Sequence, residues 1–200
     1  MAESSAVSTP QTTAPSDHQA SPVTSRRFPA AIGLILLLCL PTVFIVYVYQ
    51  PINPRLLKPG DPAPTLTVRD PSTSEIAHIS LDGKLTALLF FSADCPHCQR
   101  EISNFDQLNR RFGNRILFLA ISRSSKLRTA ELISADQLKV KTLVDEEKIG
   151  QNIFGVDAVP ALFLVGSDGI IAYSASGEKT FAAREQLLLD FVNSSGPPHN

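Results

Sequence analysis

The chain has 200 residues, a formal net charge of −1 and both signs of charge interspersed along its length. That balance, with no basic patch or stripe, argues against a nucleic-acid partner. Its three cysteines, Cys39, Cys95 and Cys98, are too few for a disulfide-stapled scaffold.

Residues 1–27 are dominated by Ser, Thr, Ala, Pro and Gln and contain almost no large apolar side chains. Such a segment cannot bury enough surface to offset its ordering entropy, so a disordered N-terminal tail is expected. Residues 28–49 carry no charge, and they are about as long as a helix needs to cross a bilayer core of roughly 30 Å. Tyr47 and Tyr49 stand at the far end, as an interfacial aromatic belt would, and Pro41 predicts a kink. A cleaved secretory signal is the competing reading. The apolar run is longer than a signal core, and Val48-Tyr49-Gln50-Pro51-Ile52 is no small-x-small cleavage site. We therefore expect one uncleaved transmembrane helix over 28–49, in contact with the lipid bilayer. Arg26 and Arg27 abut its N-terminal end, whereas Arg55 and Lys58 lie several residues past the other. The positive-inside rule then favours a cytoplasmic N-terminus, with the following chain in the periplasm or outside the cell. A Pro-containing linker over 50–58 is expected to act as an extended spacer.

From residue 59 to 192 the pattern becomes that of one globular domain, followed by a polar tail over 193–200. Thr65–Val68 and Ile76–Leu81 read as short strands. Leu85–Phe91 is a continuous apolar run, as a central strand buried on both faces would be. Ile102, Phe105, Leu108 and Phe112 recur at helical spacing, and Gly113-Asn114 ends that helix. Arg115–Ser122 is a second buried strand, Thr129–Leu138 a helix and Lys141–Val144 a short strand. Asp145 is the expected N-cap of a helix with Ile149, Ile153 and Phe154 on its apolar face, closed by Gly155. Ala161–Val165 and Ile170–Ser174 form a hairpin around Ser167-Asp168-Gly169. A last helix, Phe181–Val192, follows Thr180. This order gives an α/β fold, a mixed sheet flanked by helices on both faces.

Between the central strand and its helix lies Cys95-Pro96-His97-Cys98. Strand, CxxC, helix is the layout of a thiol–disulfide redox site. With Pro96 in the first helical turn, Cys95 sits at the N-cap, where free N–H groups and the helix dipole favour thiolate. A protonated His97 would favour it further. Cys98, one turn on, is placed to resolve a mixed disulfide formed at Cys95. Half a zinc site is an alternative, but no second CxxC or His pair lies at ligand spacing. A c-type haem site would need His where Gln99 stands, and a purely structural disulfide remains open. Glu101, three residues after Cys98, is either a proton-exchange partner for that thiol or a surface charge. Val159-Pro160 precedes a strand and is either a cis bond or an ordinary strand-start proline.

The soluble part of the chain resembles the thioredoxin superfamily. More narrowly, it resembles the membrane-anchored TlpA/ResA-type thiol–disulfide oxidoreductases of the bacterial cell envelope. The resemblance is carried by the redoxin-like opening Pro59-Gly60-Asp61-Pro62-Ala63-Pro64, by Leu88 to Glu101 around the CxxC, by Gly155 to Val165 with its Val-Pro, and by Asp168-Gly169-Ile170-Ile171. It implies a thioredoxin-like sheet with Cys95 as nucleophile and Cys98 as resolving thiol. It also implies a cis Pro160 beside them, with the Val159 backbone open to a substrate strand, and a Glu101 that influences the thiols. No cofactor is implied beyond the redox-active Cys95–Cys98 disulfide. The implied partners are cysteine-containing envelope proteins and a membrane or periplasmic thiol redox partner, with the protein in the bacterial cytoplasmic membrane. Two departures stand out. Asp94 occupies the place of the family's usual Trp, and Pro96-His97 is the dipeptide of DsbA-like oxidants. A carboxylate at 94 opposes a thiolate at 95 while an imidazolium at 97 favours it. They pull the potential in opposite directions, and reduction of targets is slightly favoured. The competing functions are a thiol peroxidase of peroxiredoxin type, for which Ser92 fits the motif and Leu88 does not, and a non-catalytic thioredoxin-fold binding module.

Overall fold

The computed structural model describes residues 55–194, together with Cys39 and Pro41. The expected disordered tail at 1–27 lies outside the described residues. Of the expected span at 28–49 only Cys39 and Pro41 are described, both helical. No described helix is long and apolar enough to cross a membrane. Of the expected tail at 193–200, the described Asn193 and Ser194 extend the last helix.

Seven strands form one sheet: β1 (Leu66–Arg69), β2 (Ile76–Ile79), β3 (Thr86–Phe91), β4 (Leu117–Ser122), β5 (Lys141–Val144), β6 (Ala161–Val165) and β7 (Ile171–Ser176). Their spatial order is β2-β1-β5-β4-β3-β6-β7. The central three strands are parallel in β3–β4 and β4–β5, and β6 runs antiparallel to β3. Four helices accompany them: α1 (Pro96–Phe112), α2 (Lys126–Asp136), α3 (Ile149–Phe154) and α4 (Phe181–Ser194).

Every residue of β3 is buried, and its side chains alternate between two cores, as the period of a strand requires. Ala87, Leu89 and Phe91 join Ile102, Phe105, Leu108 and Phe112 of α1 and Leu188 and Phe191 of α4. Leu88 and Phe90 face the other way, toward Phe154 of α3 and Phe163 of β6. There the three rings of Phe90, Phe154 and Phe163 meet with centroids 5.1 to 5.9 Å apart in tilted and edge-on geometry, the arrangements aromatic quadrupoles favour.

Three expectations are corrected. Residues 55–58 are no free spacer. Leu56 and Leu57 pack on the second core, the Leu57 N–H donates to the Phe154 carbonyl at 3.1 Å, and the Gly60 N–H donates to Ile171 at 2.9 Å. Helix α2 begins at Lys126, because the Ser125 hydroxyl caps it by accepting the Arg128 N–H at 3.4 Å, and Thr129 lies inside it. Its buried hydroxyl bonds Ser122 Oγ at 2.7 Å. In α3 the N-cap position falls to Lys148, with Asp145 instead reaching forward to accept the Gln151 N–H at 2.9 Å. Ile149 and Ile153 point outward, and only Phe154 enters the core, since so short a helix presents little more than one turn to the sheet.

Candidate active site

The sheet brings three chain segments to one edge. Phe91, the last residue of β3, pairs with Ser122, the last of β4, and Phe90 pairs with Ala161, the first of β6. The loop holding the CxxC therefore lies between Arg123-Ser124 on one side and Val159-Pro160 on the other. Ligands of open α/β sheets bind at such strand ends. The Val159–Pro160 peptide is cis, so of the two readings open in the sequence the structure has the cis bond.

Cys95 is the N-cap of α1, in extended conformation, with Pro96 opening the helix. Its Sγ accepts the Cys98 backbone N–H at 3.4 Å, and both Cys95 and Cys98 are free thiols. Burial opposes ionisation of Cys95. It is outweighed by hydrogen bonds from the Cys98 thiol and from the Cys98 and His97 backbone N–H groups, and by the charge of Arg123, so the Cys95 thiol is lowered from its ordinary value. Cys98 is wholly enclosed. Burial first, and then its hydrogen bond to Cys95 and the Cys95 charge, push it up to about 12. One thiol is half-buried and acidified, and the other is fully buried and kept protonated.

This asymmetry has a direct expected result. Iodoacetamide at neutral pH should alkylate Cys95 and spare Cys98. The Cys95 rate should rise with pH through a midpoint below that of a free thiol, because a lowered pKa puts thiolate at lower pH. Peptide mass mapping over a pH series reads both; equal labelling of the two cysteines would contradict the geometry.

The two residues whose charges were set against each other on the chain are each tied elsewhere. Asp94 Oδ1 accepts from Arg128 Nε at 3.0 Å and Oδ2 from Ser124 Oγ at 3.1 Å; the Arg128 bond, then Ser124, holds the Asp94 carboxyl below its usual range. Its charge is thus matched by Arg128. Ser124 Oγ also accepts the Ala93 N–H at 3.0 Å and bonds Ser92 Oγ at 3.1 Å, so β4's end fixes the approach to Cys95. His97 is exposed, and its Nδ1 lies 2.7 Å from Glu178 Oε2. Arg100 closes the group, with Nε 2.7 Å from Oε1 and Nη2 2.8 Å from Oε2 of the same carboxylate. The backbone N–H of His97 is among the groups that lower Cys95.

Glu101 is no surface charge. It is buried, accepting from Arg184 Nε at 2.5 Å on one oxygen and from the Lys179 N–H at 3.0 Å on the other. Among the described residues no hydrogen bond joins it to Cys98. Arg184, equally buried, also donates to the Gly177 carbonyl at 3.0 Å, and the Gly177 N–H donates to the Pro160 carbonyl at 2.7 Å. Residues 177–179 thus bind the cis-proline, α1 and α4 together. Arg123, Ser124, Glu178 and Arg184 are functional neighbours that sequence reasoning missed. Among the described residues no group of three or more His, Cys, Asp or Glu side chains is arranged for a metal.

Residues 59–174 match the model of the AhpC/TSA family. The thiol-disulfide oxidoreductase ResA of Bacillus thuringiensis subsp. konkukian is 24% identical over 157 residues, covering 78% of this chain and 91% of that protein. Among solved structures, a putative thiol:disulfide interchange protein DsbE from Chlorobium tepidum superposes with a TM-score of 0.63 at 17% identity, covering 70% of this chain and 99% of that one. The peroxidoxin BcpB of Mycobacterium tuberculosis superposes with a TM-score of 0.61 at 19% identity, with the same coverages, 70% and 99%; at such identities these two likenesses bear on the fold. Taken with the paired thiols at the head of α1, the match over most of the domain means that the chain belongs to the AhpC/TSA family, within the thioredoxin superfamily, as a thiol–disulfide oxidoreductase of the redoxin/ResA type.

Proposed function

We propose that this oxidoreductase is tethered to the bacterial cytoplasmic membrane through residues 28–49, with its domain on the periplasmic or outer side, and that it reduces disulfides of cysteine-containing envelope proteins. The observation that carries the reading is the unequal pair, an acidified Cys95 at the N-cap against a buried Cys98 held at about 12.

The Cys95 thiolate attacks one sulfur of a target disulfide. The S–S bond breaks, its other sulfur leaves as thiolate and takes a proton, and Cys95 becomes a neutral mixed disulfide. That step removes the Cys95 charge and the Cys95 hydrogen bond, two of the causes that hold Cys98 protonated. Cys98 then loses its proton more readily and attacks Cys95 Sγ. The target's second thiolate leaves, and a Cys95–Cys98 disulfide remains. Two electrons pass to the target, and a thiol redox partner in the membrane or periplasm returns the pair to dithiol; no cofactor beyond the Cys95–Cys98 couple is required. A strong oxidant of this fold owes its potential to a stabilised reduced form. Here Cys98 stays protonated and adds no second thiolate to stabilise the reduced form, which favours reduction of targets.

Cys98→Ser should trap mixed disulfides between Cys95 and envelope proteins, visible on non-reducing gels and lost in Cys95→Ser. The couple itself should equilibrate with glutathione nearer the thioredoxin value of about −270 mV than the DsbA value of about −120 mV. No adducts, together with peroxide consumption that depends on Cys95, would replace this reading with a thiol peroxidase.

A further inference from the structure

We propose that Glu178 is a positioning residue for Cys95: its carboxylate holds the Arg100 guanidinium beside the His97 imidazole in a closed group and so keeps that cation from strengthening the thiolate. The inference rests on the oxidoreductase reading and adds to it the residue that limits the nucleophile's acidity.

The geometry is specific. Glu178 lies on the segment between β7 and α4. Both its oxygens are used, Oε1 by Arg100 Nε at 2.7 Å and Oε2 by Arg100 Nη2 at 2.8 Å and His97 Nδ1 at 2.7 Å. A planar fork on a carboxylate is the arrangement that fixes a guanidinium most firmly. The donors Arg100 and His97 are one helical turn apart on the first turns of α1, so one carboxylate bridges both. Glu178 itself is held by its neighbours. The Gly177 N–H is bonded to the Pro160 carbonyl and the Lys179 N–H to Glu101, so the carboxylate is presented by a backbone anchored on either side. The bonds from Arg100, then from His97, draw the Glu178 carboxyl down to about 2; it is ionised at any pH where the thiols react.

The charged and titratable groups near Cys95 come from five segments. α1 supplies Cys98, His97 and Arg100, the loop before it supplies Asp94, matched by Arg128 of α2, the segment after β4 supplies Arg123, and the segment after β7 supplies Glu178. Arg123 acts on Cys95 directly, and the Cys95 charge is felt at Arg100. Arg100 is thus within electrostatic reach of the thiolate, but its charge is matched by Glu178. Removing that one negative charge leaves the Arg100 guanidinium uncompensated near Cys95, and an added positive potential lowers a thiol pKa. A more stabilised thiolate stabilises the dithiol form, which makes the couple more oxidising.

The test uses the full chain in detergent, reading the pH midpoint of Cys95 alkylation and the equilibrium with glutathione. Glu178→Gln should move the midpoint down by about one pH unit and shift the equilibrium about tenfold toward dithiol, or about 30 mV. Glu178→Asp, which keeps the charge, should stay near wild type, and Arg100→Gln should move the midpoint the other way. Opposite signs identify an electrostatic role. If Glu178→Gln and Arg100→Gln both leave the midpoint unmoved, or both move it in the same direction as simple loosening of the segment would, the inference is overturned while the oxidoreductase reading stands. If wild type shows no reversible Cys95–Cys98 couple with glutathione at all, that reading fails first and takes the inference with it.

Discussion

Arg184→Met should destabilise the domain by about 3–5 kcal/mol, the range seen when one partner of a buried ion pair is removed. The Arg184 and Glu101 side chains are 3% and 2% exposed. Without the guanidinium, the Glu101 carboxylate keeps a single donor, the Lys179 N–H at 3.0 Å, in a core lined by Cys98, Ile102 and Phe105. The Gly177 carbonyl loses its Arg184 donor as well. The pair is not needed for burial as such. Arg184 Nη1 is buried without a partner, and well-packed apolar residues of similar volume replace such pairs at little cost. The double variant Glu101→Met/Arg184→Met should therefore recover much of the loss, giving strong non-additivity in a double-mutant cycle. Urea midpoints of the full chain at constant m-value read all three variants. Additive losses, or a single variant within about 1 kcal/mol of wild type, would contradict the assignment of a desolvated pair.

Much of the fold could be read from residue patterns because its central pieces are extreme. β3 is a continuous apolar run buried on both faces, and the stripe Ile102, Phe105, Leu108, Phe112 admits only a helix. The redox pair followed from Cys95-Pro96 at a strand-to-helix junction. The errors fall where pattern is weak. Ile149 and Ile153 have helical spacing with Phe154 yet point outward, because α3 has six residues and one turn of contact. The site's polar surroundings were hidden for another reason. Arg100–Glu178 and Glu101–Lys179 each join positions 78 apart, and Glu101–Arg184 positions 83 apart, and no local rule spans such separations. A trace was nonetheless present. Arg184 stands in the stripe Phe181, Leu188, Phe191, and Glu101 between Cys98 and Ile102. A charge on each of two buried stripes calls for a partner of opposite sign. The opposition between Asp94 and His97, argued from their flanking of Cys95, dissolves once Arg128 and Glu178 are in view.

Gly155→Ala should loosen the chain where it enters the domain and leave the thiols unchanged. Gly155 closes α3 in the left-handed region at φ 67°, where a Cβ costs roughly 1–2 kcal/mol on its own. A second effect is larger. A Cβ there would lie 2.2 Å from the Arg55 carbonyl oxygen, 2.3 Å from its carbon and 2.6 Å from the Leu56 nitrogen. These are backbone atoms and cannot swing aside. The segment must lift, breaking the Leu57–Phe154 bond and exposing Leu56 and Leu57, which pack on the second core. Trypsin should then cut after Arg55, which is followed by Leu56, many times faster than in wild type. Asparagine tolerates the left-handed conformation better than alanine, yet Gly155→Asn should be no milder, because the contact is made by the Cβ both residues share. An asparagine variant that resists trypsin like wild type would mean that backbone conformation alone explains this glycine. The Cys95 alkylation midpoint should not move in either variant, since Cys98 belongs to the core on one side of the sheet and Phe154 to the core on the other. The two cores separate the anchoring of the chain from its chemistry.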